Sequence, residues 1–169
     1  LIKQHADEPQ DLSLGRAVFG KTCQQCHTLY GVGANIGPDL TGSNRADAEY
    51  LLSNVVDPSA VMAKEYQPSV ITTTDGRVIT GIVSKDDEKS VTIRNATETI
   101  VLPKNEIDTR ELSQTSMMPE DQLKQFSTAE TLALFAYLRG KEQVPMLATK
   151  DNAASFFNGK DLTGWTGDS

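Results

Sequence analysis

Apolar residues recur at helical spacing near both ends of the chain and alternate with polar residues in its middle. The first stripe predicts a helix over residues 12–22, and a second predicts a helix over about residues 45–55. The segment "STAETLALFAYLRG" predicts a third helix, which begins with Ser127 and Glu130 in a capping box. The two ends of the chain therefore supply a helical framework.

Residues 66–112 are rich in Val, Ile and Thr that alternate with polar residues, as in half-buried strands. "SVITTTDGRVITGIVS" predicts a hairpin with a type I′ turn at Asp75-Gly76. A second hairpin is predicted across Asn95–Thr97, and "EIDTREL" predicts a fifth short strand. The middle of the chain is thus expected to form a compact antiparallel sheet of four or five strands, set between helices.

Charge narrows the possible partners. The 169 residues include 16 Lys and Arg against 23 Asp and Glu, which gives a net charge of -7. Because phosphate binding needs a basic surface, the sequence argues against nucleic acid as a partner. No apolar run approaches the 18 or more residues of a spanning helix, so no membrane insertion by this segment is expected. The chain begins at Leu1 without Met, which suggests a piece of a longer protein.

The stretch "TCQQCH" holds both cysteines, Cys23 and Cys26, directly followed by His27. This pattern is typical of covalent haem attachment, in which two thiols add across the haem vinyl groups and the adjacent imidazole reaches the iron. Three alternatives stay open. A zinc site would have to draw on His5 as a further ligand. A thioredoxin-type dithiol normally begins a helix, whereas these cysteines follow one. A plain disulfide or a pair of buried thiols is the structural alternative.

Haem attachment predicts a ligand on the opposite face of the iron. "SQTSMMPEDQL" offers Met117 and Met118 in a polar loop before the last helix. Met118 is favoured because Pro119 follows it directly and stiffens the backbone that would hold a weak thioether ligand. His27 and Met118 are therefore the predicted iron ligands.

The segments "GRAVFGKTCQQCH", "IGPDLTG" and "SMMPEDQL" resemble class I c-type cytochromes. The resemblance implies a mainly α cytochrome c fold with a small inserted antiparallel β-sheet, α+β overall. It implies that the Pro38 carbonyl accepts a hydrogen bond from the His27 ring and that Leu40 packs on the haem face. It also implies that the first and last helices cross near Gly15 and Phe19.

A more specific resemblance covers the inserted sheet. "NVVDPSAVMAKEYQPSVITTTDGRVITGIV" and "EIDTRELSQTSMMPEDQL" resemble the haem-binding domain of large Planctomycete and Verrucomicrobia multidomain proteins. By this resemblance, residues 1–11 are a linker and residues 12–145 a cytochrome c domain with a β insertion at about 66–112. "SFFNGKDLTGW" resembles the opening of a 3-keto-disaccharide hydrolase-type domain. Residues 146–169 are therefore expected to be a linker and the truncated start of a following β-sandwich domain.

The expected function is electron transfer through covalently attached haem c, without catalysis by this domain. The resemblance implies a periplasmic or otherwise extracytoplasmic location, a redox partner that is a separate protein or a fused domain, and a monomeric fragment. The alternative is an open iron site that binds small ligands or acts on peroxide. Two roles stay open for the inserted sheet: a scaffold that braces the methionine loop, or a docking surface for a partner.

Overall fold

The computed structural model describes residues 2, 4–5 and 8–146. The α-helices in this part of the chain are α1 (Leu12–Thr22), α2 (Ala48–Val56) and α3 (Thr128–Arg139). The strands are β1 (Ser69–Thr73), β2 (Val78–Asp86), β3 (Ser90–Arg94), β4 (Thr99–Pro103) and β5 (Ile107–Leu112). Apart from Met146, the linker and following domain predicted at 146–169 lie outside the described residues.

Helices α1 and α3 pack against each other, and a glycine allows their close approach. A Cβ atom on Gly15 would lie 2.1 Å from the Ala133 carbonyl oxygen and 2.7 Å from Tyr137 Cβ. One turn later, the buried rings of Phe19 and Tyr137 pack with their centroids 5.7 Å apart. The predicted helix over 12–22 and its crossing with the last helix are therefore confirmed.

The strands form one antiparallel sheet in the order β4-β3-β2-β1-β5. The first half of β2 pairs with β1, and its second half pairs with β3 across a register shift between Val83 and Lys85. Strand β5 returns to pair with β1, so β4 and β5 form the edges. The two predicted hairpins and the fifth strand are thus confirmed.

The sheet has a hydrophobic core of its own. Burial alternates along β1 and β3, as expected of strands with one face turned inward. The inward side chains of the sheet form one cluster: Ile71, Ile79, Val91, Ile93 and Leu102. A separate cluster fills the helical part and includes Phe19, Leu29, Leu51, Leu134 and Phe135. The molecule is therefore organised around two cores.

The predicted fold class, a mainly α cytochrome c fold with a small inserted sheet, is wrong. The three described helices contain 11, 9 and 12 residues, and the five strands contain 5, 9, 5, 5 and 6. The two kinds of structure are thus nearly balanced. The expectation treated the sheet as a small insertion in a helical domain, whereas its strands contain nearly as many residues as the helices, and long segments at 23–47 and 113–127 contain no α-helix or strand.

The predicted type I′ turn at Asp75-Gly76 is also wrong. Of these two residues only Gly76 has a positive φ, at 83°, whereas type I′ requires positive φ at both central positions. The Thr73 amide donates to the Arg77 carbonyl (2.9 Å), so three residues lie in the loop. A three-residue loop that ends in a left-handed glycine matches the twist of the flanking strands equally well.

Arg45 caps the C-terminal end of α3 from the loop that follows the CxxCH segment. Its buried guanidinium donates to the carbonyls of Leu138 (2.5 Å), Gly140 (2.9 Å) and Thr41 (3.0 Å). The last carbonyls of a helix have no partner within the helix, so these bonds satisfy groups that burial would otherwise leave unpaired. Arg45 thereby fixes the loop to α3.

Replacing Arg45 with methionine is expected to lower the free energy of unfolding by about 3 kcal/mol, because buried carbonyls lose a charged donor. Urea unfolding followed by far-UV circular dichroism measures this loss. Arg77→Met is the matched control, because its side chain is 57% exposed and pairs with an exposed Asp75. Equal effects of the two substitutions would contradict the capping role.

Candidate functional site

The CxxCH segment begins where α1 ends. The amides of Cys23 and Gln24 both donate to the Phe19 carbonyl, at 2.8 and 2.9 Å. The amides of Cys26 and His27 then donate to the Cys23 carbonyl, at 3.0 and 2.9 Å. These bonds wind the segment into a tight turn, so its three reactive side chains come from one short stretch anchored to α1.

Both thiols are free and half-buried. Burial raises the pKa of Cys23 to about 11, although a hydrogen bond to the Thr22 hydroxyl opposes the shift and the Cys26 thiol adds to it. Burial also raises the pKa of Cys26. A redox dithiol needs a thiol whose pKa is lowered so that the thiolate can attack. The electrostatics therefore disfavour a thioredoxin-type function.

The imidazole of His27 is held in one orientation. Its Nδ1 lies 3.0 Å from the carbonyl oxygen of Pro38, so Nδ1 carries the proton and donates. Nε2 then keeps its lone pair, as in histidines that bind a metal. Burial lowers the pKa of His27, and the bond to Pro38 opposes this. The neutral ring, which is the metal-binding form, is thus favoured at neutral pH.

A glycine presses against this imidazole. A Cβ atom on Gly37 would lie 2.7 Å from His27 Cε1 and 3.0 Å from Nδ1. The neighbouring backbone is tied to the CxxCH turn, because the amides of Ile36 and Gly37 donate to the Cys26 carbonyl at 3.1 and 2.8 Å. The loop therefore brings the Pro38 carbonyl to the edge of the His27 ring, and the absence of a side chain at Gly37 leaves room for the ring.

Leu40 lies two residues beyond Pro38. Its amide donates to the Thr28 carbonyl at 2.8 Å, and its half-buried side chain packs against the helical cluster. The structure thus places Leu40 on the loop that carries His27 and Pro38. Its predicted contact with a haem face stays a prediction.

Met117 and Met118 are half-buried in the loop between β5 and α3. The Met118 amide donates to the Ser116 hydroxyl (3.1 Å), and the Ser116 amide donates to the Ser59 hydroxyl beyond α2 (3.1 Å). At the sheet end of the loop, the Ser113 amide donates to the Pro68 carbonyl (2.8 Å). The loop is therefore tethered at two places.

The structure brings Cys23, Cys26, His27 and Pro38 together, and it holds Met118 on a separate loop. Among the described residues, no hydrogen bond joins the methionine loop to His27. Sequence reasoning missed the serines that tether this loop. No local pattern marks them, because Ser59 and Ser116 are 57 residues apart in the chain.

The donor set suits haem better than a bare metal ion. In the part of the chain that the structure describes, no group of three or more His, Cys, Asp or Glu side chains could hold a metal. His5, the further ligand that zinc would need, lies instead against Glu8, with Nδ1 and Oε2 2.8 Å apart. Two free thiols beside an imidazole with a free Nε2 match the attachment chemistry of haem c.

Comparison with known proteins points to the same chemistry. Residues 10–75 match the family described as cytochrome c oxidase, cbb3-type, subunit III. The matched residues make up less than half of the chain. This match supports a c-type cytochrome haem-binding domain that acts in electron transfer. No curated protein matches the chain. None of the helices in the described residues is long and apolar enough to cross a membrane.

One solved structure, that of the pleiotropic translational regulator Hfq, is 14% identical to the chain. The match covers 42% of this chain and 97% of that one, with a TM-score of 0.29. A likeness this weak does not define the fold.

Proposed function

We propose that the chain carries one covalently attached haem c and transfers electrons, with Cys23 and Cys26 as thioether anchors and His27 as the proximal iron ligand. The observation that carries the proposal is the imidazole of His27, held through Nδ1 by Pro38 with Nε2 left free. The two free thiols beside it and the family match over residues 10–75 support the same chemistry.

Haem c supplies a one-electron couple between ferric and ferrous iron when it is bound. The chain keeps the surroundings of that couple constant. The Pro38 carbonyl holds the imidazole orientation and raises its basicity. A haem against the buried apolar side chains of the helical cluster would carry the extra charge of the ferric state in an apolar environment, which would raise the reduction potential. Little structural rearrangement then accompanies the electron.

Met118 is the proposed second axial ligand. The bonds from Met118 to Ser116 and from Ser116 to Ser59 restrict the movement of the loop. A restricted loop would help to hold the weak Met118 thioether ligand at the iron. The Ser113 bond to Pro68 connects the same loop to the sheet. The sheet would then act as a scaffold that braces the methionine ligand, which is one of the two roles left open by the sequence.

The proposed setting is an extracytoplasmic electron-transfer domain of a larger multidomain protein of the Planctomycete and Verrucomicrobia type. The net charge of -7 favours a redox partner, or a fused domain, with a basic surface. The domain itself is proposed to carry no catalytic activity. The parent protein supplies any substrate chemistry.

Met118→Ala is expected to abolish the weak far-red band of ferric methionine-ligated haem, whereas Met117→Ala is expected to retain it. The protein is produced with its haem attached, and a reduced pyridine adduct spectrum first tests for two thioether bonds. Met117 is the matched control because it is the adjacent thioether on the same loop and is also half-buried.

Three outcomes would contradict parts of this proposal. An adduct spectrum without two thioether bonds would exclude haem c. Loss of the far-red band in Met117→Ala alone would move the ligand to that residue. Rapid carbon monoxide binding by the ferrous wild-type protein would favour an open iron site for small-ligand chemistry.

A further inference from the structure

An open cleft of about 390 Å³ lies between the loop that follows His27 and the hairpin of β3 and β4. Asn35 and Ile36 line it on one side, and residues 94–99 line it on the other. Ile36 donates its amide to the Cys26 carbonyl, and the next residue, Gly37, lies against the imidazole of His27. The cleft thus borders the proposed haem site directly.

Arg94 spans this cleft and is fixed in place. Its Nη1 donates to Asn35 Oδ1 (3.0 Å), and its Nη2 donates to the Asn35 carbonyl oxygen (2.7 Å). Its Nε is buried and has no hydrogen-bond partner among the described residues. The Nε of Arg45 is unpaired in the same way, so this atom alone does not mark a ligand site.

The acceptor that suits this group is a carboxylate. Arginine prefers planar, charged acceptors and binds them more strongly than neutral ones. Thr99 and Asn95 also line the cleft, and the Thr99 hydroxyl and the Asn95 amide can donate further bonds, whereas the Thr97 hydroxyl already donates to Asn95 Oδ1 (2.8 Å). Glu98 lines the cleft as well, but the structure gives it no bond to Arg94 Nε. Nη1 and Nη2 each keep a second N–H without an acceptor among the described residues, so the cleft contains a fixed cation that can still donate.

We propose that Arg94 binds a propionate carboxylate of the attached haem, so that the inserted sheet supplies part of the haem site. The inference rests on the proposed function. Haem carries two propionates, and the thioether bonds would keep them near the cleft at high effective concentration. A free anion lacks this advantage, because it must approach a chain with a net charge of -7 and pass Glu98.

The test compares holoproteins that carry Arg94→Met, Arg94→Lys and the control Arg77→Met. Arg77 lies in the connection between β1 and β2, carries the same charge and is not part of the cleft. Two readouts are used: the reduction potential, and the haem propionate modes in the resonance Raman spectrum. Because a nearby cation disfavours the ferric charge, Arg94→Met should lower the potential and shift the propionate modes. Arg94→Lys should restore much of the potential but not the modes, and Arg77→Met should change neither.

Failure of the inference can be told apart from failure of the proposed function. Absence of thioether-bound haem in wild-type protein would overturn both. Attached haem whose propionate modes are unchanged in Arg94→Lys, and in Arg94→Met if it folds, would overturn the inference alone. A wild-type potential that responds to added inorganic phosphate, with the response lost in Arg94→Met, would assign the cleft to a free anion and overturn the propionate assignment.

Discussion

Gly15→Ala is expected to lower the free energy of unfolding by about 3 kcal/mol, whereas Gly20→Ala in the same helix is expected to raise it by about 0.8 kcal/mol. A methyl group on Gly15 would lie 2.1 Å from the Ala133 carbonyl oxygen, so α1 and α3 must separate. Separation would loosen the packing of Phe19 on Tyr137. Urea unfolding of both variants and the wild type, followed by circular dichroism, measures the two changes.

Gly20 is the matched control because it shares the helix and the residue type but not the crowding. A methyl group there would meet only Gln24 Oε1, at 3.5 Å, and the position is exposed. Alanine raises the free energy of unfolding at this position because it loses less backbone entropy than glycine when the helix forms. Equal stability changes in both variants, in either direction, would contradict close helix contact at Gly15.

The elements that the sequence predicted best are those whose signals are local. The capping box of Ser127 and Glu130 is present in full, since it depends on residues three apart. Strands β1 and β3 follow from alternation, because each places one face on the core of the sheet. Helix α2 begins at Ala48 rather than near 45, because Asp47 accepts bonds from the amides of Glu49 and Tyr50 and caps it.

The balance of the fold was harder to predict, because it depends on long segments without a repeating pattern. Residues 23–47 are ordered by individual hydrogen bonds, such as that from the Leu40 amide to the Thr28 carbonyl, and by the Arg45 cap. Such bonds leave no periodic trace in the sequence. The sequence marks a loop here through its Gly and Pro residues, but it does not show how many residues the loop takes from the helical part of the fold.

The candidate site likewise combines residues that the sequence identifies with residues that only the fold brings together. The spacing of Cys23, Cys26 and His27 identifies them in the sequence, because haem attachment needs two thiols and an imidazole close together in the chain. The Arg94 bond to Asn35 connects residues 59 apart, and only the packing of the sheet beside the loop brings them together. Neither residue stands out from ordinary surface composition, so the sequence could not assign them to the site.

Gly37→Ala is expected to disrupt the His27 site. The added Cβ would lie 2.7 Å from His27 Cε1, so the ring must turn away or the backbone must shift. Either movement lengthens the 3.0 Å contact from Nδ1 to the Pro38 carbonyl. We expect a loss of about 2 kcal/mol in unfolding free energy and, in the haem-bound protein, a weakened bond between the imidazole and the iron.

Gly42→Ala is the matched control, because Gly42 lies on the same loop and a methyl group there meets nothing within 4 Å. Optical spectra of the ferric and ferrous holoproteins, with and without carbon monoxide, report the state of the imidazole ligand, and urea unfolding reports stability. Gly42→Ala should match the wild type in both. If Gly37→Ala also matches it, the imidazole has room to move, and the Pro38 carbonyl cannot be what fixes its orientation. If only stability falls while the spectra stay unchanged, Gly37 serves the packing of the loop and the iron ligand is positioned by other contacts.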